Sequence, residues 1–312
     1  MQIRRHGSWK DDLLPFFTPS IRALLMQIDT DCDLEEIRLR VQQPIQLVLG
    51  GRERLIYARG CVPAVTQTDC TSILERMCEH SVYAWEEEMR MGFLTLTGGY
   101  RVGICGRAVM EENRLHHVSD VTSLNIRIAR ACEGAADALL PDLMDEEKLP
   151  YSTLILSSPG CGKTTLLRDI ARQLSYGMRG AKPRRVCVVD ERCEIASCHQ
   201  GVPQMDVGQR TDVLDGCPKS QGMTMALRSL SPQVIVTDEL GGAADSAAVM
   251  NALFSGVKVI ASAHGTDIDD VLRRSDIRAL VEQGAFSRYF SLRCCGFTAK
   301  KAAAASEKFL YL

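Results

Sequence analysis

The residues best suited to chemistry form one continuous stretch, Ser157-Ser158-Pro159-Gly160-Cys161-Gly162-Lys163-Thr164-Thr165, between the apolar run Leu154-Ile155-Leu156 and the amphipathic Leu166-Leu167-Arg168-Asp169. A strand, a glycine turn and a helix in that order leave successive backbone N–H groups facing one concavity. There the unpaired amides and the helix dipole favour a polyanion. That is the phosphate-loop pattern, and Ser158 through Thr165 form its expected cradle. Gly160 and Gly162 let the backbone approach the phosphates, Lys163 reaches the β/γ oxygens, and Thr164 offers its hydroxyl to Mg²⁺. ATP and Mg²⁺ are the expected ligands. The first glycine of the pattern is Ser157 here, at a position that only closes the loop onto the strand, where a small residue suffices.

A second signal is Val234-Ile235-Val236-Thr237-Asp238-Glu239, an apolar strand that releases two adjacent carboxylates. Ligands of open α/β sheets sit at such carboxyl ends. Asp238 is placed to hold Mg²⁺ through its water shell and Glu239 to orient an attacking water. Many strands end in ordinary acidic turns, and it is the upstream cradle that gives this one meaning. Two further clusters follow strand-like runs: Asp190-Glu191-Arg192-Cys193-Glu194 after Val186–Val189, and Ser262-Ala263-His264-Gly265 after Val257–Ile260.

Elements that could position these groups are readable in the hydrophobic pattern. Apolar strands are expected at Thr153–Leu156, Arg185–Val189, Val234–Thr237, Val257–Ser262 and Arg288–Leu292, alternating with helices. Near-continuous apolar runs at such intervals argue a parallel sheet covered on both faces, an α/β domain. The first half reads differently. A helix is expected over Leu13–Ile28, strands over Asp33–Arg40, Ile45–Leu49 and Arg54–Tyr57, and helices over Thr68–His80 and Tyr83–Arg90. A meander broken at Gly98-Gly99 and Gly106 then leads to a strand at Ser123–Ile128 and a helix at Ala131–Leu140. This is a smaller α+β domain. With Asp142–Pro150 as a charged linker, the expected domains are 1–145 and 146–312.

The 312 residues suit two domains, and 46% hydrophobic with 24% charged residues is ordinary globular composition. A net charge of −2 argues against a broadly basic nucleic-acid coat. Thirteen scattered cysteines without a Cys-x-x-Cys pair suggest neither a disulfide framework nor a zinc finger, and a reducing compartment fits them. Cys187, Cys193, Cys198 and His199 come closest to a metal cluster, but their spacing is irregular and they read as structural. Met1–Lys10 is basic without a following apolar core, and no run approaches a membrane span, so neither export nor a span is expected.

The order of phosphate loop, acidic box, Val-Thr-Asp-Glu and Ala-His-Gly resembles the type II/IV secretion (traffic) ATPases. Ala226-Leu227-Arg228-Ser229-Leu230-Ser231-Pro232-Gln233 is similar to that superfamily too, and the likeness covers most of residues 150–275. A narrower resemblance, to a sporulation branch from endospore-forming bacteria, rests on four stretches. These are Pro159–Thr165, Val188-Val189-Asp190-Glu191-Arg192, Thr237-Asp238-Glu239 and, in the first half, Gly98 through Arg107.

The resemblance implies a RecA-like P-loop ATPase domain preceded by the smaller α+β domain. It also implies a hexameric cytoplasmic ATPase, peripheral at the inner face of a membrane complex, with integral-membrane partners in a secretion-like channel between mother cell and forespore. By the same resemblance Glu191 and Glu194 fall where an acidic box supplies carboxylates, with Asp and Glu exchanged at 190 and 191. The catalytic base is therefore open between Glu239, favoured on mechanistic grounds, and the acidic box. His264 would report nucleotide state to neighbours, against the plainer reading of a buried core histidine. Arg101, Arg107 and Arg127 would contact phosphates, because phosphoryl transfer spreads negative charge over the transferred group's oxygens; surface solvation is the competing explanation.

Other classes stay open. A nucleic-acid-dependent RecA-like ATPase shares this core, although the single-strand-binding domain appended in plastid and cyanobacterial relatives is not expected before Leu312. A non-hydrolysing nucleotide-binding scaffold is disfavoured by the intact Lys163, Thr164, Asp238 and Glu239. Leu240-Gly241-Gly242 is a poor match to the signature of an ATP-binding-cassette transporter.

Overall fold

Apolar and polar side chains alternate along much of the first 130 residues, and the computed structural model draws those stretches into one antiparallel sheet. The structure describes residues 8–28, 34–57, 65–79, 85–90, 92–111, 114–178, 180, 182–265, 267–292 and 307–309. Met1–Gly7, most of the basic stretch that opens the chain, lies outside them, as do the ends of the helices expected at Thr68–His80 and Tyr83–Arg90.

The chain divides into two compact units, Met1–Arg130 and Ala131–Leu312. In the first, helices α1 (Trp9–Leu13) and α2 (Pro19–Leu25) flank a 3₁₀ turn at Leu14–Phe16 where a single helix was expected. Pro15 and Pro19 each sit in the first turn of a new segment, since proline cannot donate to a preceding turn. Strands β1 (Leu34–Arg40), β2 (Ile45–Leu49) and β3 (Arg52–Ile56) follow, then α3 (Gln67–Met77), α4 (Glu86–Arg90), β4 (Phe93–Thr95), β5 (Arg101–Glu111) and β6 (Arg114–Arg127). The order across the sheet is β3-β2-β1-β6-β5-β4, antiparallel throughout. Thr66 and Asp69 cap α3 reciprocally, and Phe17, Ile21, Ile37, Leu39, Ile73 and Tyr100 fill the core.

Gly106 does not end a strand. β5 runs through it while the facing β6 bulges, so that Cys105 and Arg107 pair with Ser123 and Ser119. A Cβ on Gly106 would come within 2.5 Å of the Ser119 carbonyl oxygen, so close backbone approach demands the glycine.

The second unit contains β7 (Thr153–Ser157), α5 (Lys163–Tyr176), β8 (Val186–Asp190), β9 (Thr211–Asp215), α6 (Lys219–Ser229), β10 (Val234–Thr237), α7 (Ala243–Phe254) and β11 (Lys258–His264). Helices α8 (Ile268–Leu272) and α9 (Ser275–Glu282) and strands β12 (Arg288–Leu292) and β13 (Glu307–Phe309) complete it. The sheet order is β13-β12-β7-β11-β10-β8-β9, parallel except for β13. Alternation along each strand divides the core. Leu154, Leu156, Ile235 and Ala261 face one layer, while Ile155, Val186, Val236 and Ile260 face the other, with α5. β9 was not expected, because Thr211-Asp212-Val213-Leu214-Asp215 is a half-exposed edge strand with little apolar content.

Residues 131–145 belong to this second unit, so the boundary falls earlier than the expected 145/146. Gly134 (φ +84°) and Pro141 prevent the expected helix. The segment instead makes turns and a 3₁₀ turn, Leu140–Leu143. Ala136, Leu139, Leu140 and Leu143 pack in the core with Ile155 and Leu166, and the Ala136 N–H donates to Asp169 at 2.8 Å. Asp142–Pro150 is likewise tied down: the Tyr151 N–H donates to the Leu143 carbonyl at 2.8 Å.

Candidate functional site

β7 delivers the chain into the glycine turn with Ser157 fully buried, its hydroxyl donating to the Ser158 carbonyl at 2.9 Å. The hydroxyl that replaces the pattern's glycine is thus satisfied inside the loop. Gly160 (φ +74°) and Gly162 (φ +87°) lie in the left-handed region that side chains disfavour, and Gly162 is the N-cap of α5. A Cβ at either would meet nothing within 4 Å, so conformation and not crowding requires them, and the space above the loop is open to a bulky anion. Ser158, Thr164 and Thr165 are half-buried, Pro159 is exposed, and Cys161 is buried.

Lys163 opens α5, and its Nζ donates to the Ser157 and Ser158 carbonyls at 2.8 and 3.2 Å. The same Nζ stands 3.5 Å from His264 Nδ1. Register explains this meeting, because β11 runs parallel to β7 with His264 opposite Ser157. His264 is exposed at the strand end, which overturns the core-histidine alternative. Burial lowers the Lys163 pKa, Glu239 opposes that, and Arg192 reinforces it. These charges therefore share one neighbourhood.

β10 lies between β11 and β8, with Thr237 opposite both Ala261 and Val189. The Thr237 hydroxyl donates to the Val189 carbonyl at 3.0 Å, and the Glu239 N–H donates to Ser262 Oγ at 3.1 Å. The Asp238-Glu239 bend is fixed from both sides. Asp238 is buried, and burial raises its pKa despite Lys219. Its Oδ1 makes no hydrogen bond, although Lys219 Nζ lies 3.3 Å away as an ion pair. A buried carboxylate oxygen with spare acceptor capacity, in the unit whose α5 carries the Thr164 hydroxyl in its first turn, fits an oxygen-ligated divalent cation.

The acidic box divides its labour. Asp190 is fully buried, and its carboxylate accepts the N–H groups of Glu194 (2.9 Å) and Ala196 (2.8 Å). Burial pushes its pKa up to about 6. Arg168 of α5 donates to the Glu194 carbonyl at 2.7 Å, tying the box to the helix behind the phosphate loop. Glu191 pairs with Lys219, and Glu239 pairs with Arg192. The nearby thiols of Cys187 and Cys193 are pushed up to about 12 by burial, as expected of structural cysteines.

Sequence reasoning assigned no role to Lys219 or Arg192. Lys219 is only 4% exposed and joins Glu191 to Asp238. Burial works to lower its pKa but is outweighed by those carboxylates, which raise it. Its one sequence signal is its place in the first turn of α6, where the helix dipole disfavours a cation.

The three arginines of the first unit have local partners. Arg101 and Arg127 are directly opposed across β5 and β6. The Arg101 guanidinium lies 3.6 Å from the Phe93 ring centroid, and Arg127 meets Glu36 at 3.4 Å. Arg107, exposed past the bulge, approaches Asp120 at 3.5 Å.

Residues 8–302 match the family profile described as Sporulation stage III, protein AA. The chain belongs to that family. It is 44% identical over 260 residues to the stage III sporulation protein AA of Bacillus subtilis, covering 83% of this chain and 82% of that one. Among solved structures it is similar to the ATPase DotB of Yersinia pseudotuberculosis, with a TM-score of 0.56 and 15% identity over 93% of this chain and 77% of that one. It is also similar to the pilus retraction motor PilT, solved with bound ADP, with a TM-score of 0.55 and 15% identity over 88% and 76%. At such identities the likeness is one of fold: a RecA-like P-loop domain preceded by an α+β domain. Among the described residues no helix is long and apolar enough to cross a membrane.

Proposed function

We propose that the protein hydrolyses ATP with Mg²⁺ and works as the cytoplasmic motor of a secretion-like or channel complex in endospore formation, between mother cell and forespore. The observation that carries this reading is the convergence of the glycine turn with Lys163, Asp238, Glu239 and His264 at the carboxyl ends of adjoining strands. Backbone N–H groups of the loop and the Lys163 ammonium bind the β/γ-phosphate oxygens. Thr164 and Asp238 would hold Mg²⁺, which when bound supplies positive charge to the same oxygens. Glu239 orients the attacking water and accepts its proton as the water oxygen bonds to the γ-phosphorus. The bond to the bridging oxygen breaks, and ADP leaves with that electron pair. Arg101, Arg107 and Arg127 are assigned to the phosphates by resemblance.

Family membership supports the sporulation setting. A homo-oligomer, a hexamer by resemblance, and integral-membrane partners at the inner face of a membrane complete the proposal. Lys163→Ala should abolish Mg-ATP hydrolysis and weaken nucleotide binding; hydrolysis at the wild-type rate would remove the assignment. Arg107→Ala should retain affinity for a slowly hydrolysed ATP analogue better than it retains turnover. Sedimentation with that analogue should show self-association, which a strict monomer at every concentration would contradict. Running the same ATPase assay with single-stranded DNA or RNA tests the nucleic-acid-dependent alternative, which stimulation would favour.

A further inference from the structure

The turn after β8 presents an arginine whose place is set by its neighbours. On one side Glu191 is held by buried Lys219; on the other, buried Cys193 donates its N–H to the Asp190 carbonyl at 3.3 Å. Asp190 in turn accepts the amides of Glu194 and Ala196 and is fully buried. Arg192 therefore projects from a rigid turn. Its Nη1 pairs with Oε2 of Glu239, whose own N–H is fixed on Ser262 Oγ. Both charges act on the Lys163 ammonium in opposite senses, so the pair stands at the phosphate loop.

The fold has little need of this contact. The Arg192 side chain is 57% exposed, and ion pairs that open to solvent contribute little to stability. A carboxylate that must present one oxygen to a water does need its rotamer fixed, and a guanidinium arm on the other oxygen supplies that without neutralising it.

We propose that Arg192 is a positioning residue for phosphoryl transfer: it holds Glu239 by Oε2 and aims the carboxylate at the attacking water. This deepens the ATPase reading and rests on it. Arginine suits the task because its planar fork fixes direction as well as charge, whereas lysine fixes charge alone.

The test is Mg-ATP hydrolysis, with binding of a non-hydrolysable ATP analogue, for wild type, Lys163→Ala, Arg192→Ala, Arg192→Lys, Glu239→Gln and the double variant Arg192→Ala/Glu239→Gln. Arg192→Ala should lower kcat by ~10- to 100-fold, the scale of a misplaced reacting group, with analogue affinity held within ~3-fold. Arg192→Lys should recover part of the loss. The double variant should be no slower than Glu239→Gln alone, because a residue acting only through Glu239 has nothing left to position. That non-additivity separates positioning from a merely structural role. An active wild type whose Arg192→Ala variant keeps its kcat within ~3-fold overturns the proposal, as does a double variant in which the two losses multiply. A folded wild type without any ATPase activity instead overturns the ATPase reading itself.

Discussion

At the carboxyl end of β8, Asp190 gives both of its oxygens to backbone amides, whereas one strand over, at the end of β10, Asp238 and Glu239 face side-chain cations brought by other elements. Amides in a turn cannot leave, so the Asp190 carboxylate shapes a loop. Ammonium and guanidinium groups on side chains can rotate, so the β10 carboxylates are held in place yet remain open to a ligand. The regions also interlock, since Glu191 and Arg192 from the β8 turn meet the cation and carboxylate beside β10. Adjacent acidic clusters of similar composition can thus divide into a scaffold and a pair left open to a ligand.

The sharpest way to break that division is to neutralise one carboxylate on each strand. Glu239→Gln should bind ATP and Mg²⁺ nearly normally yet turn over at least ~100-fold more slowly, the scale of a lost general base. Glu194→Gln should change turnover far less. Equal loss at Glu194 with little at Glu239 would move the base to the β8 turn.

A weaker effect is expected from removing the cation that joins the strands. Lys219→Met strands a buried carboxylate and should destabilise the fold by about 3 kcal/mol in urea unfolding. Adding Asp238→Asn to that background should return much of the loss; no recovery would mean that the pair with Asp238 is not what Lys219 supports.

The smallest effect concerns the scaffold carboxylate and depends on pH. Asp190 titrates at about 6 in the fold against 3.8 ordinarily, so the folded state binds its proton more tightly than the unfolded chain does. The stability this gives is complete below the ordinary value and lost as pH rises through the folded one. Between about pH 7 and about pH 4 the wild type should gain about 2 kcal/mol relative to Asp190→Asn, a variant that cannot titrate there. Parallel pH profiles for the two proteins would show that burial of this charge is not being felt.

The phosphate loop was legible because its chemistry is local: glycines at positions of positive φ, a lysine and a threonine opening a helix all lie within a few residues. The parallel strands were legible too, since burial on both faces leaves continuous apolar runs. Edge and bulged strands were not. β9 is half-exposed, and the passage of β5 through Gly106 depends on a bulge in the strand it faces. Nor did helical spacing over Leu13–Ile28 and Ala131–Leu140 foretell the breaks that proline and glycine impose.

Within the site, the sequence by itself determined which residues have the types and the short spacing that suit phosphate-binding and acidic chemistry, because those features are local to the chain. It also determined the family, through motifs spread over both units. Only the tertiary structure decided which charges meet. The pairing of Lys219 with Asp238 and Glu191, of Arg192 with Glu239, and the approach of Lys163 to His264 all join residues far apart in sequence. Parallel register carries the ends of β7, β11, β10 and β8 to one edge of the sheet. A lone lysine or arginine has no sequence signature for such a meeting, because burial and partners are properties of the packed sheet and not of the chain near the residue.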